Sequence, residues 1–176
     1  MRGEELKKYI RNVHDFPKKG IVFRDITTLL LDKNGFCSTI NLFLEYLKDK
    51  HFEKIAAIES RGFVLGGAIA NSLQKGLILV RKPGKLPAET VQEEYKLEYG
   101  TDALEIHKDA VKKGDGVVVI DDLLATGGTA LATCQLIEKL GGKIVCAAFL
   151  IELSFLNGRG KLKNYPVYTF INYPSE

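Results

Sequence analysis

Two adjacent carboxylates, Asp121 and Asp122, followed by Ala125-Thr126-Gly127-Gly128-Thr129, are the residues of this chain whose types and spacing point most directly to chemistry. Carboxylates accept hydrogen bonds only, and two side by side suit a vicinal diol such as the 2′ and 3′ hydroxyls of a ribose. The glycines let successive main-chain N–H groups converge on one point at close range. Thr126 and Thr129 add hydroxyl donors. A helical pattern (Leu131, Cys134, Leu136, Ile137, Leu140) begins directly afterwards. The start of that helix brings unpaired N–H groups and the positive end of a dipole. Together these make a seat for a phosphate monoester, and a ribose 5-phosphate fits both halves at once. Alone, Gly-Gly is often a tight turn and Asp-Asp a solvated pair. Their order behind the β-branched run 117–120 favours the seat.

Other stretches repeat that logic. Residues 54–58 (KIAAI) read as a buried strand ending at Glu59-Ser60-Arg61-Gly62, and 63–73 return as a helix in which Gly66 and Gly67 allow close approach to a sheet. Polar groups between a strand's carboxyl end and a helix start sit on the ligand edge of a parallel sheet. Ser60 and Arg61 are therefore a candidate second anion seat, although a lone Glu-Arg pair is ordinarily a surface ion pair. Residues 76–80 (GLILV) read as a third strand, after which Arg81, Lys82 and Lys85 crowd a loop shaped by Pro83 and Gly84. Those cations suit a pyrophosphate. Phe23, between polar neighbours after the Pro17–Gly20 turn, is either a plug against the core or a stacking surface for a flat heterocycle.

Around these stand the elements that must hold them. Residues 4–13 read as a short amphipathic helix, 34–50 as a helix, 143–153 as a long strand, 155–162 as a turn or short helix and 167–172 as an edge strand. Residues 88–95, acidic and without a clean period, read as a mobile loop, and 95–107 as a hairpin around Gly100. Strands alternate with helices through the centre, which indicates an α/β fold with a mostly parallel sheet.

The 176 residues make one domain with room for a proper core. Net charge is 25 − 22 = +3, too slight for a dedicated nucleic-acid binder and compatible with a few cations aimed at a polyanionic small molecule. Cys37, Cys134 and Cys146 sit in apolar patterns and read as buried free thiols. The histidines show no metal-ligand spacing. The expectation is a cytoplasmic protein without a secretory signal or membrane span.

The stretch 117–130 resembles the phosphoribosyl pyrophosphate (PRPP) motif of type I phosphoribosyltransferases. The segments VFRD (22–25), ESRGF (59–63), RKPGKLP (81–87) and LEYG (97–100) are similar to the adenine-specific branch of that family, over about residues 15–162. The resemblance implies a central mostly parallel sheet with flanking helices and a small hood, contributed by about 1–35 and 88–108. It implies transfer of the 5-phosphoribosyl group from PRPP to adenine, giving AMP and pyrophosphate. By the same resemblance Val22, Phe23 and Arg24 bind the purine, with Leu123 on its other face and Tyr99 nearby. Glu98 is the acid/base group, with Arg61 and Lys82 also catalytic. Glu59, Ser60, Arg61, Arg81, Lys82 and Lys85 face the pyrophosphate. Asp121, Asp122, Ala125, Thr126, Gly127, Gly128 and Thr129 bind the ribose phosphate. Mg²⁺ is implied, held mainly through substrate and water rather than by direct protein ligation. The partners implied are adenine, PRPP and a second copy in a homodimer, with no nucleic acid and no membrane. A 6-oxopurine base, or a PRPP-sensing regulator lacking catalysis, stays open as an alternative.

Overall fold

The computed structural model describes residues 3–96 and 100–176. After a 3-10 turn (Gly3–Tyr9) come β1 (Arg11–His14), β2 (Val22–Asp25), α1 (Thr27–Leu31), α2 (Lys33–Leu47), β3 (Lys54–Ile58), α3 (Arg61–Leu73) and β4 (Gly76–Val80). Then follow β5 (Thr90–Lys96), β6 (Thr101–His107), β7 (Gly116–Leu124), α4 (Gly128–Lys139), β8 (Lys143–Leu153), two further 3-10 turns (Ser154–Leu156, Gly158–Leu162) and β9 (Val167–Tyr173). The central sheet has the order β4-β3-β7-β8-β9, and every pairing in it is parallel. Two antiparallel hairpins, β1–β2 and β5–β6, stand beside it.

A parallel sheet is covered on both faces, so its inner strands carry unbroken apolar runs, 55–58, 117–120 and 144–151. Alternate residues feed two cores. Ile55, Val118, Ile120 and Ala148 meet Phe43 of α2 and Leu65 and Ile69 of α3. Ala56, Val117, Val119 and Phe149 meet Cys134 and Ile137 of α4 and Leu104 and Ile106 of β6. Helices α3 and α4 thus lie on opposite faces.

Several expectations change. The N-terminal segment is not one helix: Leu6 and Ile10 enter the core as expected, but Val13 pairs across strands with Phe23. Of the expected loop 88–95, all but Ala88 and Glu89 is strand. β5 pairs with β6 from Thr90↔His107 to Lys96↔Thr101, and Val91 and Tyr95 pack on the second core. The inward position between them is Glu93, which Lys139 of α4 neutralises at 3.1 Å, and that hid the period. β7 runs on through the acidic pair because its pairing with β8 continues to Leu124↔Glu152. Cys134 and Cys146 are buried and free, whereas Cys37 is free but exposed on α2.

The two neighbouring glycines of α3 differ. A Cβ on Gly66 would sit 2.5 Å from the Ala57 Cβ of β3, while one on Gly67 meets nothing within 4 Å. Helix propensity favours alanine at either site by about 1 kcal/mol, but overpacking a core costs about 1–3 kcal/mol. We therefore expect Gly66→Ala to destabilise and Gly67→Ala to stabilise, read from urea unfolding midpoints. A stable Gly66→Ala protein would show that α3 does not rest on β3 through this contact.

Candidate active site

β3 leads through α3 to β4 on one side, and β7 leads through α4 to β8 on the other. The connections diverge at the β3–β7 pair, which leaves a crevice at the carboxyl ends of those strands. β3 pairs with β7 only as far as Ile120, so Asp121 and the residues after it have a strand partner on one side only. The crevice holds a cavity of about 330 Å³, lined by Glu59, Ser60 and Arg61 from the β3–α3 junction and by Asp121 to Gly127, Thr129 and Ala130 from the β7–α4 junction.

Both helices that start here lack a side-chain cap. Helix α2, away from the cavity, is capped: Asp32 accepts the Gly35 N–H at 2.7 Å. The first N–H groups of an uncapped helix remain for a ligand. Gly127, the residue before α4, has φ +76°, and a Cβ there would lie 2.4 Å from the Gly158 carbonyl oxygen. In return a Cβ on Gly158 would lie 2.2 Å from the Ala125 carbonyl oxygen. The glycine turn therefore rests main chain on main chain against the 158–162 turn. Arg159 anchors that turn: it grips both Glu152 oxygens at 2.7 and 2.9 Å and donates to the Val167 carbonyl at 3.0 Å. The supporting role of Gly158 was not read from the sequence, though it too follows the carboxyl end of a sheet strand.

Arg61 joins this cavity to a second one. Its Nε donates to Asp122 Oδ2 at 2.6 Å, and its guanidinium lies 5.2 Å from the centroid of the Phe23 ring. The second cavity, of about 360 Å³, is lined by Val13, Phe16, Phe23, Asp25, Thr27 and Arg61. Phe16 meets Phe23 edge-on, with ring centroids 5.2 Å apart. Phe16 is a site residue the sequence reading passed over. Its neighbour Pro17 marks the turn that sets the ring beside β2.

Of the remaining expected residues, Leu123 lines the first cavity rather than the Phe23 cavity. Val22 lines neither. The Arg24 side chain turns away, onto the Tyr173 ring at 4.2 Å and to Asn12 at 2.7 Å. β2 pairs with β1 alone, however, so its other edge keeps main-chain groups free of any strand partner among the described residues. Arg81 reaches the cavity edge through Glu59, at 2.8 Å. Lys82 is held by Asp102 of β6, and neither it nor Lys85 lines the cavity. The Glu59–Ser60 peptide is cis. Glu98 and Tyr99 lie outside the described residues.

Residues 36–173 match the phosphoribosyl transferase domain family. Adenine phosphoribosyltransferase of Thermotoga petrophila is 54% identical over 169 residues, covering 96% of this chain and 99% of that protein. The crystal structure of adenine phosphoribosyltransferase from Thermoanaerobacter pseudethanolicus superposes with a TM-score of 0.94 at 53% identity, over 96% of this chain and 98% of the other. The Saccharomyces cerevisiae enzyme, solved in complex with an imino-altritol bisphosphate and adenine, gives a TM-score of 0.88 at 38% identity, over 96% of this chain and 97% of that one. This chain belongs to the adenine phosphoribosyltransferase family.

In this adenine phosphoribosyltransferase fold the acidic pair is electrostatically unequal. Burial, and then the neighbouring Asp122, push the Asp121 carboxyl well above the ordinary carboxylate range, and the Asp122 N–H and Arg61 offset this only in part. Asp122 itself is 4% exposed and carries the Arg61 ion pair. The site thus concentrates negative charge where one cation does not suffice for two carboxylates.

A carboxyl raised in the fold weakens stability as pH climbs above its unfolded range of about 4, and contributes nothing below it, where both states are protonated. Asp121→Asn should therefore raise the urea midpoint at about pH 7, with the gain shrinking toward about pH 4. A gain that is equal at both pH values, or a loss at neutral pH, would mean that Asp121 ionises freely in the folded protein.

Proposed function

We propose that this protein transfers the 5-phosphoribosyl group from PRPP to adenine, giving AMP and pyrophosphate. The observation that carries the reading is the crevice where Asp121 and Asp122 stand beside the Thr126–Gly127 turn at two uncapped helix starts. The family membership supports the base, and the yeast relative's complex with adenine supports the kind of site.

The reaction exchanges pyrophosphate for a purine nitrogen at ribose C1 through a state with oxocarbenium character. The enzyme must position the purine and neutralise the leaving group. Asp122 and Asp121 accept from the ribose hydroxyls. The main chain of Ala125 to Thr129, with the Thr126 and Thr129 hydroxyls, holds the 5′-phosphate. Glu59, Ser60 and Arg61 frame the pyrophosphate, with Arg81, Lys82 and Lys85 supplying further positive charge. Phe23 stacks on the purine while the free edge of β2, from Val22 to Arg24, reads its rim. Leu123 bounds the purine from the side of the first cavity, which it lines, Tyr99 contacts the substrate, and Glu98 handles the proton on the imidazole side of the purine.

Among the described residues no cluster of three or more His, Cys, Asp or Glu side chains could hold a metal. The donors at the crevice are all oxygen, which suits Mg²⁺ held through substrate and water, with Asp121 and Asp122 beside it. When bound, Mg²⁺ supplies charge neutralisation on the pyrophosphate and ribose oxygens.

The assay is pyrophosphate release with PRPP and each base. Adenine should give AMP, and hypoxanthine and guanine should give no nucleotide at comparable rates. In the same assay Phe23→Ala should raise KM for adenine about tenfold at an unchanged KM for PRPP. Glu98→Ala should lower kcat by roughly 10²–10⁴. IMP formation as fast as AMP formation would overturn the choice of base.

Two finer readings accompany this one. The three unpaired cysteines suit a reducing compartment such as the cytoplasm. β4 lies at the edge of the central sheet, and its Leu77 and Leu79, with Val64 of the adjacent α3, are 40–44% exposed. Such an apolar edge fits a second copy of this chain. Light scattering should give twice the chain's 19.5 kDa, falling toward one chain mass in a Leu77→Lys, Leu79→Glu variant. A wild-type monomer would overturn the dimer.

A further inference from the structure

Glu105 on β6 is a buried charged residue that the reaction does not use. It is 2% exposed and lines neither site cavity. Its carboxylate nevertheless receives four donors. Oε1 accepts the main-chain N–H groups of Lys85 at 3.1 Å and Leu86 at 3.2 Å. Oε2 accepts the Thr90 hydroxyl at 3.1 Å and the Gln92 side-chain amide at 3.3 Å. The main chain of the same residue pairs with the start of the loop: the Arg81 N–H donates to the Glu105 carbonyl at 3.0 Å, and the Glu105 N–H to the Arg81 carbonyl at 2.7 Å. One residue therefore clasps the loop at both ends, Arg81 through its backbone and Lys85–Leu86 through its side chain.

We propose that Glu105 is a positioning residue for the phosphoribosyl transfer, fixing the backbone of loop 81–86 so that Arg81, Lys82 and Lys85 stand ready for the pyrophosphate. The proposal rests on the reading that this loop serves the pyrophosphate. A loop that must be ordered at the moment of binding loses affinity, and one that is held beforehand does not. Between the two clasped ends Pro83 fixes one φ, and Gly84 turns the chain at φ +78°. Arg81 closes the segment on itself by donating from Nη1 to the Lys85 carbonyl at 3.0 Å, and carries it to the crevice through Glu59. The order of contacts is continuous: Glu105, loop, Arg81, Glu59, crevice.

The chemistry explains why an acid stands there. Two successive N–H groups aimed at one point form an anion seat. Left open beside a polyanionic substrate, that seat would compete for phosphate oxygens. Filled by an internal carboxylate, it leaves the loop's cationic side chains as the groups presented to the substrate. Burial works against the charge, but the Leu86 and Lys85 amides, the Thr90 hydroxyl and the Gln92 amide together hold the Glu105 carboxyl below its ordinary range. A glutamine keeps the shape and one acceptor oxygen for the two amides, and an alanine keeps neither.

The test is steady-state kinetics in both directions, with AMP binding by calorimetry as the internal control. AMP fills the sugar-phosphate and base seats without touching the pyrophosphate loop. Glu105→Ala should raise KM for PRPP, and for pyrophosphate in the reverse reaction, by roughly 10- to 100-fold. KM for adenine and Kd for AMP should stay within about twofold, and Glu105→Gln should recover most of the loss. An equal loss of AMP and pyrophosphate affinity, or unchanged pyrophosphate KM, overturns the proposal. Should Glu105→Ala not fold, the Thr90→Val, Gln92→Leu double variant releases Oε2 and should raise the same two KM values by a smaller factor. No rise there counts against the proposal equally. A Lys82→Ala, Lys85→Ala variant separates the two layers of the argument. If it leaves KM for pyrophosphate unchanged, the loop does not serve pyrophosphate at all. If it raises that KM while Glu105→Ala does not, the loop reading stands and the positioning role falls.

Discussion

The divergence of two crossovers governs this molecule. A parallel strand cannot turn directly back to its neighbour, so β3 and β7 each hand the chain to a helix that packs on one face of the sheet. α3 and α4 take opposite faces, and among the described residues the space they leave at the ends of β3 and β7 is a cavity. Every polar residue that follows those strands is thereby delivered to one crevice, with two helix starts pointing the same way. The acidic pair, the glycine turn and the Glu59–Arg61 corner share an address because the sheet's topology gives them no other.

Close approach of main chain to main chain is what makes the crevice tight, and it is achieved by the absence of side chains at particular positions. Gly62 lets the first turn of α3 sit against β7, where a Cβ would lie 2.7 Å from an Asp121 oxygen. Gly127 and Gly158 let the glycine turn before α4 rest on its supporting turn. Arg159 and Glu152 then brace that support from behind with an ion pair in which the Arg159 Nε–H is shared by both oxygens of a buried carboxylate. The residues that line the crevice are thus backed by glycines that admit close packing and by one ion pair behind them.

Legibility from the sequence followed the same division. The strands 54–58, 76–80 and 143–153 could be bounded correctly because each is a nearly unbroken apolar run between polar or glycine-containing segments, which a parallel sheet allows even in its exposed edge strand β4. The acidic pair and the Thr–Gly turn could be read as one group because their arrangement is local: nearly successive residues line one cavity. What was missed depends on partners distant in sequence. β5 was hidden because its inward Glu93 is neutralised by Lys139 of α4. Glu105 looked like any hairpin glutamate until four donors from the loop and from β5 converged on it. Lys82 could be assigned to a loop but not to Asp102, its present partner. Gly66 and Gly67 are indistinguishable as letters, and only the strand beneath one of them separates them.

Arg61 has one guanidinium and two neighbours, a carboxylate in the first cavity and an aromatic ring in the second. A group shared in this way cannot be moved on one side alone. Whatever draws it from Asp122 also alters what stands above Phe23, and a flat ring arriving on Phe23 alters what remains for Asp122. By reciprocity the free energy with which one seat's occupant favours the other is the same in both directions. The two cavities are in this sense neighbours with one wall in common, and that wall is the arginine.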